Sequence, residues 1–335
     1  MYEMLDSALL EFKAARLPWK SLVHEAEAQG VAPLLGRHLE NIGFTLPDGN
    51  HRILRSLCQR CRRANQIRNS AIVEVLDSFR QEKIDNLSVK GIALANFVYS
   101  APELRPMRDI DLLVRKKDLG KAQKTLHELG FRQEETHKIP EGYYHLPPLI
   151  KEIEGLPVTI ELHHSLLPLD GTYPEWPLEV LSDSSMPLTI GDIDTASLGL
   201  ERNLLYLYLH GLRAPLSYEP FRFVHIADLF CLVERYFRRI DWLEARAIFP
   251  QLCSILSRLH FVTPWPDEII TGLALDISRP PGRIAEPYCG WPLVKLEDIS
   301  AIRLPLLLKE TVWPPQWWTQ VYYGRFSGAG YLKVR

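Results

Sequence analysis

The stretch Arg105-Pro-Met-Arg-Asp-Ile-Asp-Leu-Leu-Val114 decides how this chain is read. Read as a β-strand over Asp109–Val114, it alternates its side chains between two faces. Asp109 and Asp111 then point one way while Ile110 and Leu112 enter a core. At about 3.3 Å rise per residue the two acidic Cα atoms lie roughly 6.6 Å apart.

Two further segments give that pair a context. Upstream, Val89-Lys-Gly-Ile-Ala-Leu94 places Lys90-Gly91 between a short apolar run and a helical one. Downstream, Val158-Thr-Ile-Glu-Leu-His163 has a clear period of two, with Glu161 and His163 on one face. If the two strands lie side by side, Asp109, Asp111 and Glu161 supply three carboxylates to one place. Such a trio suits Mg²⁺, with Mn²⁺ as the alternative, because hard cations prefer oxygen ligands and keep waters for a substrate to displace. A pair of divalent ions about 3.5–4 Å apart stabilises both the attacking and leaving oxygens in phosphoryl or nucleotidyl transfer. Gly91 lets backbone N–H groups approach phosphate oxygens at a helix N-terminus. Lys90 and Arg108 add positive charge for a triphosphate, and Arg105 either steadies the aspartates or binds phosphate. His163 has three open readings: metal ligand, phosphate contact or base. His145 stands in a segment, Tyr143–Pro148, that is able to cover the site. His164 points the other way, and His210 and Asp228 lie on later helices.

These residues together resemble the uncharacterised nucleotidyltransferase family of the polymerase-β-like superfamily. The likeness is carried by Val89–Leu94, Tyr99, Arg105–Val114, Leu129-Gly-Phe131 and Ile160–His163. It extends to Gly30–Leu35 with the long helix after it, and to Leu204–His210 with Phe221–Tyr236. The resemblance implies metal ligation by Asp109, Asp111 and Glu161, and a phosphate-loop place for Lys90 and Gly91. It implies an NTP donor, ATP by preference, and release of pyrophosphate to leave an NMP group on an acceptor. Two departures stand out. Ile92 follows Gly91 where the superfamily usually has serine or glycine, and the third acid is Glu161 rather than aspartate.

The rest of the chain frames this core. The expected architecture is α/β (α+β): a small mixed nucleotidyltransferase sheet at 84–195, with helical regions at 1–83 and 196–335. The first region begins with an apolar stripe at Met4, Leu5, Ala8, Leu9 and Phe12. After a turn at Leu46–Gly49 comes a long amphipathic helix, Leu54 to Phe79. Its other faces carry Arg52, Arg55, Arg60, Arg62, Arg63 and Arg68, a stripe that is either solvated or a surface for a polyanion. A turn is expected at Gly155-Leu156-Pro157, and helices at Asp241–Phe249, Gln251–His260 and Asp267–Leu275. The tail beyond Pro280 is rich in Pro, Trp and Tyr.

With 335 residues, a net charge of −2 and 46% hydrophobic residues, the composition is that of an ordinary globular protein. It gives no global field for nucleic acid. No apolar run of membrane-spanning length is present. Five scattered cysteines fit a reducing, cytoplasmic setting, and Cys58 and Cys61 are expected to pack rather than bind metal. An unidentified small molecule or peptide is the favoured acceptor. The alternatives are a catalytically inactive nucleotide- or partner-binding protein of this fold and a toxin-like transferase directed at tRNA.

Overall fold

A computed structural model describes residues 18–47, 49–133, 144–166, 176–211, 222–278 and 305. The stripe expected at Met4–Phe12 and nearly all of the aromatic tail lie outside them. Two compact units emerge, one of residues 17–203 and one of 1–16 with 204–335.

In the first unit, α1 (Trp19–Ala28), α2 (Ala32–Asn41) and α3 (Asn50–Gln81) precede a five-stranded sheet. Its strands are β1 (Asn86–Val89), β2 (Asp109–Val114), β3 (Arg132–Gln133), β4 (Leu149–Ile153) and β5 (Leu156–His163), in the spatial order β1-β2-β5-β4-β3. The β2–β5 pair is parallel and all other pairs are antiparallel, so the sheet is mixed, as expected. Helices α4 (Lys90–Phe97) and α5 (Leu119–Glu128) follow β1 and β2. A short α6 (Leu178–Ser182) leads into the hairpin β6 (Met186–Ile190) and β7 (Ile193–Ser197).

The core follows from the alternation. Ile110, Leu112, Val158, Ile160 and Leu162 are fully buried, and so are Ile72, Val75 and Phe79 of α3, which packs on β5. The turn between β4 and β5 falls one residue earlier than expected. Glu154 and Gly155 both have positive φ, +52° and +76°, and Ile153 pairs with Leu156. A two-residue loop with both centres left-handed matches the twist of the flanking strands. Glycine takes one centre without strain, so Leu156 and Pro157 already belong to β5.

The long helix departs from the sequence reading in one respect. Arg52, Arg55, Arg60, Arg62 and Arg63 are exposed, but Arg68 is buried. Asn65, Arg68, Ile72, Val75 and Phe79 recur three and four apart and form one buried stripe. The arginine belongs to the inward face because helical spacing, not charge, sets direction. Three of the exposed arginines pair with glutamates: Arg60 with Glu27, Arg62 with Glu103 and Arg63 with Glu154.

The described part of the second unit is helical. It contains α8 (Phe223–Tyr236), α9 (Trp242–Ile248), α10 (Leu252–Leu259) and α11 (Asp267–Leu273), preceded by α7 (Leu200–Gly211), which begins before the boundary. Asp241 caps α9 by accepting from the Leu243 and Glu244 N–H groups. Trp265 stacks on Phe230 at 3.7 Å and donates its indole N–H to the Leu256 carbonyl. His210 and Asp228 belong to this unit, where His210 meets His225 edge to face and Asp228 is fully buried. No described helix is long and apolar enough to cross a membrane.

Candidate active site

The register of the central strands brings two of the acids, Asp111 and Glu161, together. Asp111 lies opposite Glu161 across the parallel β2–β5 pair, and opposite Val89 across the antiparallel β1–β2 pair. Lys90 therefore leaves β1 directly beside Asp111. Its Nζ lies 2.5 Å from Asp111 Oδ1. The same oxygen accepts from His163 Nε2 at 2.8 Å, and Glu161 Oε2 is 3.4 Å from that nitrogen. Ligand atoms of Asp111, Glu161 and His163 all fall within 4.8 Å of one another. Asp109, two residues before Asp111 on β2, shares its face.

Charge and burial make these carboxylates unequal. Burial raises the Asp109 carboxyl, reinforced by the Asp111 charge, from 3.8 to about 6, against the pull of Lys90. Burial opposes ionisation of Asp111 as well, but the Lys90 ammonium and the His163 hydrogen bond outweigh it and hold the group below the carboxylate range. Glu161 is likewise lowered overall, with the His163 hydrogen bond opposing its burial. Asp111 Oδ2 is buried with no hydrogen-bond partner. Such an atom is costly unless something binds it. An oxygen-rich cluster with that open lone pair fits a hard divalent cation.

His163 is fully buried, and both partners of its Nε2 are carboxylates, so that nitrogen carries the hydrogen. Its Nδ1 is buried without a partner. His145 forms an isolated antiparallel bridge to His163, and the Leu146 N–H donates to the Leu162 carbonyl at 2.8 Å. The His145 and His163 rings are 4.9 Å apart, with Tyr144 beside both. The segment expected to cover the site thus runs along β5 from Tyr144 onward, and Tyr143 lies outside the described residues. The His164 N–H donates to the Tyr144 carbonyl.

Lys90 and Gly91 occupy the turn between β1 and α4. The left-handed residue is Lys90, at φ +53°, a conformation that a side chain adopts only at a cost of about 1–3 kcal/mol. Gly91 sits inside the first turn of α4, and it is glycine for another reason. A Cβ there would lie 2.6 Å from Arg105 Nη1 and 3.0 Å from Met107 Cβ. Arg105 is buried, donates from Nη1 to the Pro106 carbonyl, and weighs on Asp109 by its charge. The Asn65 amide holds the Pro102 and Arg105 carbonyls at 2.8 Å each, fixing the turn that feeds β2. Arg108 is exposed beside Asp109. Gly91→Ala should cost about 1–3 kcal/mol by overpacking and dislodge the Arg105 guanidinium. Unchanged chemical denaturation of that variant would contradict the close approach.

The residue that sequence reading placed wrongly is Arg68, whose electrostatic partner is Asp109. Its spacing with Ile72, Val75 and Phe79 is the signal that marks it as inward-facing. Cys58 donates to the Ala32 carbonyl, and burial pushes its thiol up to about 11. Cys61 is also raised, chiefly by burial. Neither belongs to a metal-binding group among the described residues.

The profile of a family described as uncharacterised nucleotidyltransferase matches residues 16–253, well over half of the chain. No curated protein sequence matches. Solved structures show distant likeness, among them the following three. The antibiotic-resistance factor ANT(2'')-Ia, in solution, is 15% identical with a TM-score of 0.39, over 58% of this chain and 98% of that one. The lincosamide antibiotic adenylyltransferase LnuA, lincomycin-bound, is 17% identical with a TM-score of 0.33, over 48% and 93%. An antigenic nucleotidyltransferase-like protein from Paracoccidioides brasiliensis is 12% identical with a TM-score of 0.40, over 63% and 93%.

Proposed function

The chain belongs to the uncharacterised nucleotidyltransferase family, and from that premise we propose that it moves an NMP group, AMP from ATP by preference, to an acceptor hydroxyl with release of pyrophosphate. The observation that carries this reading is the convergence of Asp111 and Glu161 across β2 and β5, with Asp111 Oδ2 buried and unpartnered. Asp109, Asp111 and Glu161 would hold divalent cations, Mg²⁺ first and Mn²⁺ second. Bound there, the ions would neutralise triphosphate charge and stabilise the entering and departing oxygens.

The chain's own groups do the rest. The acceptor oxygen bonds to the α-phosphorus as the bond to the β-phosphate bridging oxygen breaks, and pyrophosphate leaves with that electron pair. The acceptor proton passes to a carboxylate of the site, Asp109 in this reading. His163 is the positioning group rather than the base. Its Nε2–H is committed to Asp111 and Glu161, and a second proton on Nδ1 would be buried without an acceptor. Lys90, Arg105 and Arg108 offer positive charge to the phosphates, and Gly91 lets the Arg105 guanidinium lie against the first turn of α4.

A small-molecule or peptide acceptor is favoured over RNA, because Arg60, Arg62 and Arg63 spend their charge on Glu27, Glu103 and Glu154 rather than forming a phosphate-binding stripe. The test is incubation of the full chain with each α-labelled NTP, Mg²⁺ and a cell extract. ATP should yield both a labelled product and pyrophosphate. Absence of both with every NTP and either metal would remove the proposal.

A further inference from the structure

We infer that Arg68, on the buried stripe of α3, binds the polyphosphate of the nucleotide donor; this rests on the nucleotide-transfer reading above. Arg68 is 7% exposed, and its Nε is sealed from solvent with no hydrogen-bond partner. A guanidinium stays ionised and offers five N–H donors in a planar fork. Leaving its Nε buried without a partner is costly, and that cost becomes tolerable where a ligand completes the group.

Its position names the ligand. One turn before it on the same stripe, Asn65 clamps the Pro102 and Arg105 carbonyls. This face of α3 therefore lies on the turn that delivers Asp109 into β2. The charge acting most strongly on Arg68 is Asp109 itself. Lys90 and Arg105 also act on Asp109. The formal charges of Arg68, Lys90 and Arg105, set against those of Asp109, Asp111 and Glu161, come to a near balance. Divalent cations tip that balance strongly positive, and a triphosphate is a ligand with enough negative charge to restore it. A single carboxylate on an acceptor is not. A planar fork also matches two phosphate oxygens at once.

The test compares full-length wild type, Arg68→Met and Arg68→Lys for binding of inorganic tripolyphosphate and of ATP with Mg²⁺, by calorimetry and thermal shift. Arg68→Met should keep or raise the melting temperature of the ligand-free protein, since a buried N–H without a hydrogen-bond partner is gone. It should bind both ligands about tenfold or more weakly, the weight of a charged hydrogen bond. Arg68→Lys, which keeps the charge and loses the fork, should fall between. An arginine with a purely structural role gives the reverse: lower stability and unchanged affinity. Wild-type affinity for tripolyphosphate in either variant overturns the inference, including when the methionine variant does not fold. Wild-type protein that binds ATP but shows equal loss for adenosine in Arg68→Met would place the contact off the phosphates and also overturn it. Failure of wild type to bind any nucleotide would instead bring down the nucleotide reading itself.

Discussion

Asp109→Asn is expected to abolish nucleotidyl transfer while raising the melting temperature of the metal-free protein at alkaline pH. The loss of activity should reach at least about a thousandfold, because ion-mediated stabilisation of transition-state charge is worth several kcal/mol. The gain in stability follows from the sign of the pKa shift. The carboxyl is raised from 3.8 to about 6 in the folded chain, first by burial and then by Asp111. A raised acid contributes stability that is complete below its unfolded pKa and lost as pH climbs through its folded one. Above about pH 6 the ionised group thus opposes folding, by roughly 3 kcal/mol at most. Asparagine keeps the shape without the charge. Melting curves at pH 4 and pH 8 check this: the variant should match wild type at the lower pH and exceed it at the higher. Equal curves at both, or retained activity, would refute the assignment of Asp109.

Lys90→Met should have the opposite effect on stability. Asp111 is 1% exposed and its Oδ1 relies on Lys90 and His163. Removing the ammonium leaves a buried carboxylate short of its strongest cation, a change that costs about 3–5 kcal/mol in comparable pairs. In a unit of this size that lowers the melting temperature by roughly 6–20 °C. Relief of the left-handed strain at Lys90 does not offset it, since methionine in that position keeps the same backbone cost. Mn²⁺ or Mg²⁺ should restore much of the loss, because a divalent ion gives Asp111 another positive partner. Metal should stabilise the variant more than wild type. Indifference of the variant to metal would mean that Asp111 is not a ligand.

The acids were legible in the sequence because a strand has a period of two. Asp109, Asp111 and Glu161 could be placed on common faces from spacing alone, and the β2–β5 register joins the last two. Helical elements were legible too, to within a few residues, wherever caps such as Asp241 mark an end. Strand β4 was harder, since Leu149-Ile-Lys-Glu-Ile153 shows no clean alternation; it becomes a strand by pairing with β5. The hairpin Met186–Ser197 does alternate, with Met186, Leu188 and Ile190 buried, yet no expectation covered it. At the turn, the sequence singles out Gly91 for close backbone approach to phosphate. The structure adds a left-handed backbone at Lys90, and Gly91 is the residue whose missing Cβ admits Arg105. Charge alone suggests exposure for Arg68, but its spacing of three and four residues with Asn65 and Ile72 places it on the inward face.

One rod, α3, carries Phe79 in the hydrophobic interior and Asn65 on the turn that feeds β2, with Arg68 on the same buried stripe. At 3.6 residues per turn, inserting a single amino acid between Arg68 and Ile72 would rotate one end against the other by about 100°. Either the interior or the Asn65 clamp on the turn before β2 would then lose its contacts. Evolution of this enzyme by insertion and deletion is thereby confined to its loops, and changes in what it accepts must come from side-chain replacement along a rigid spine.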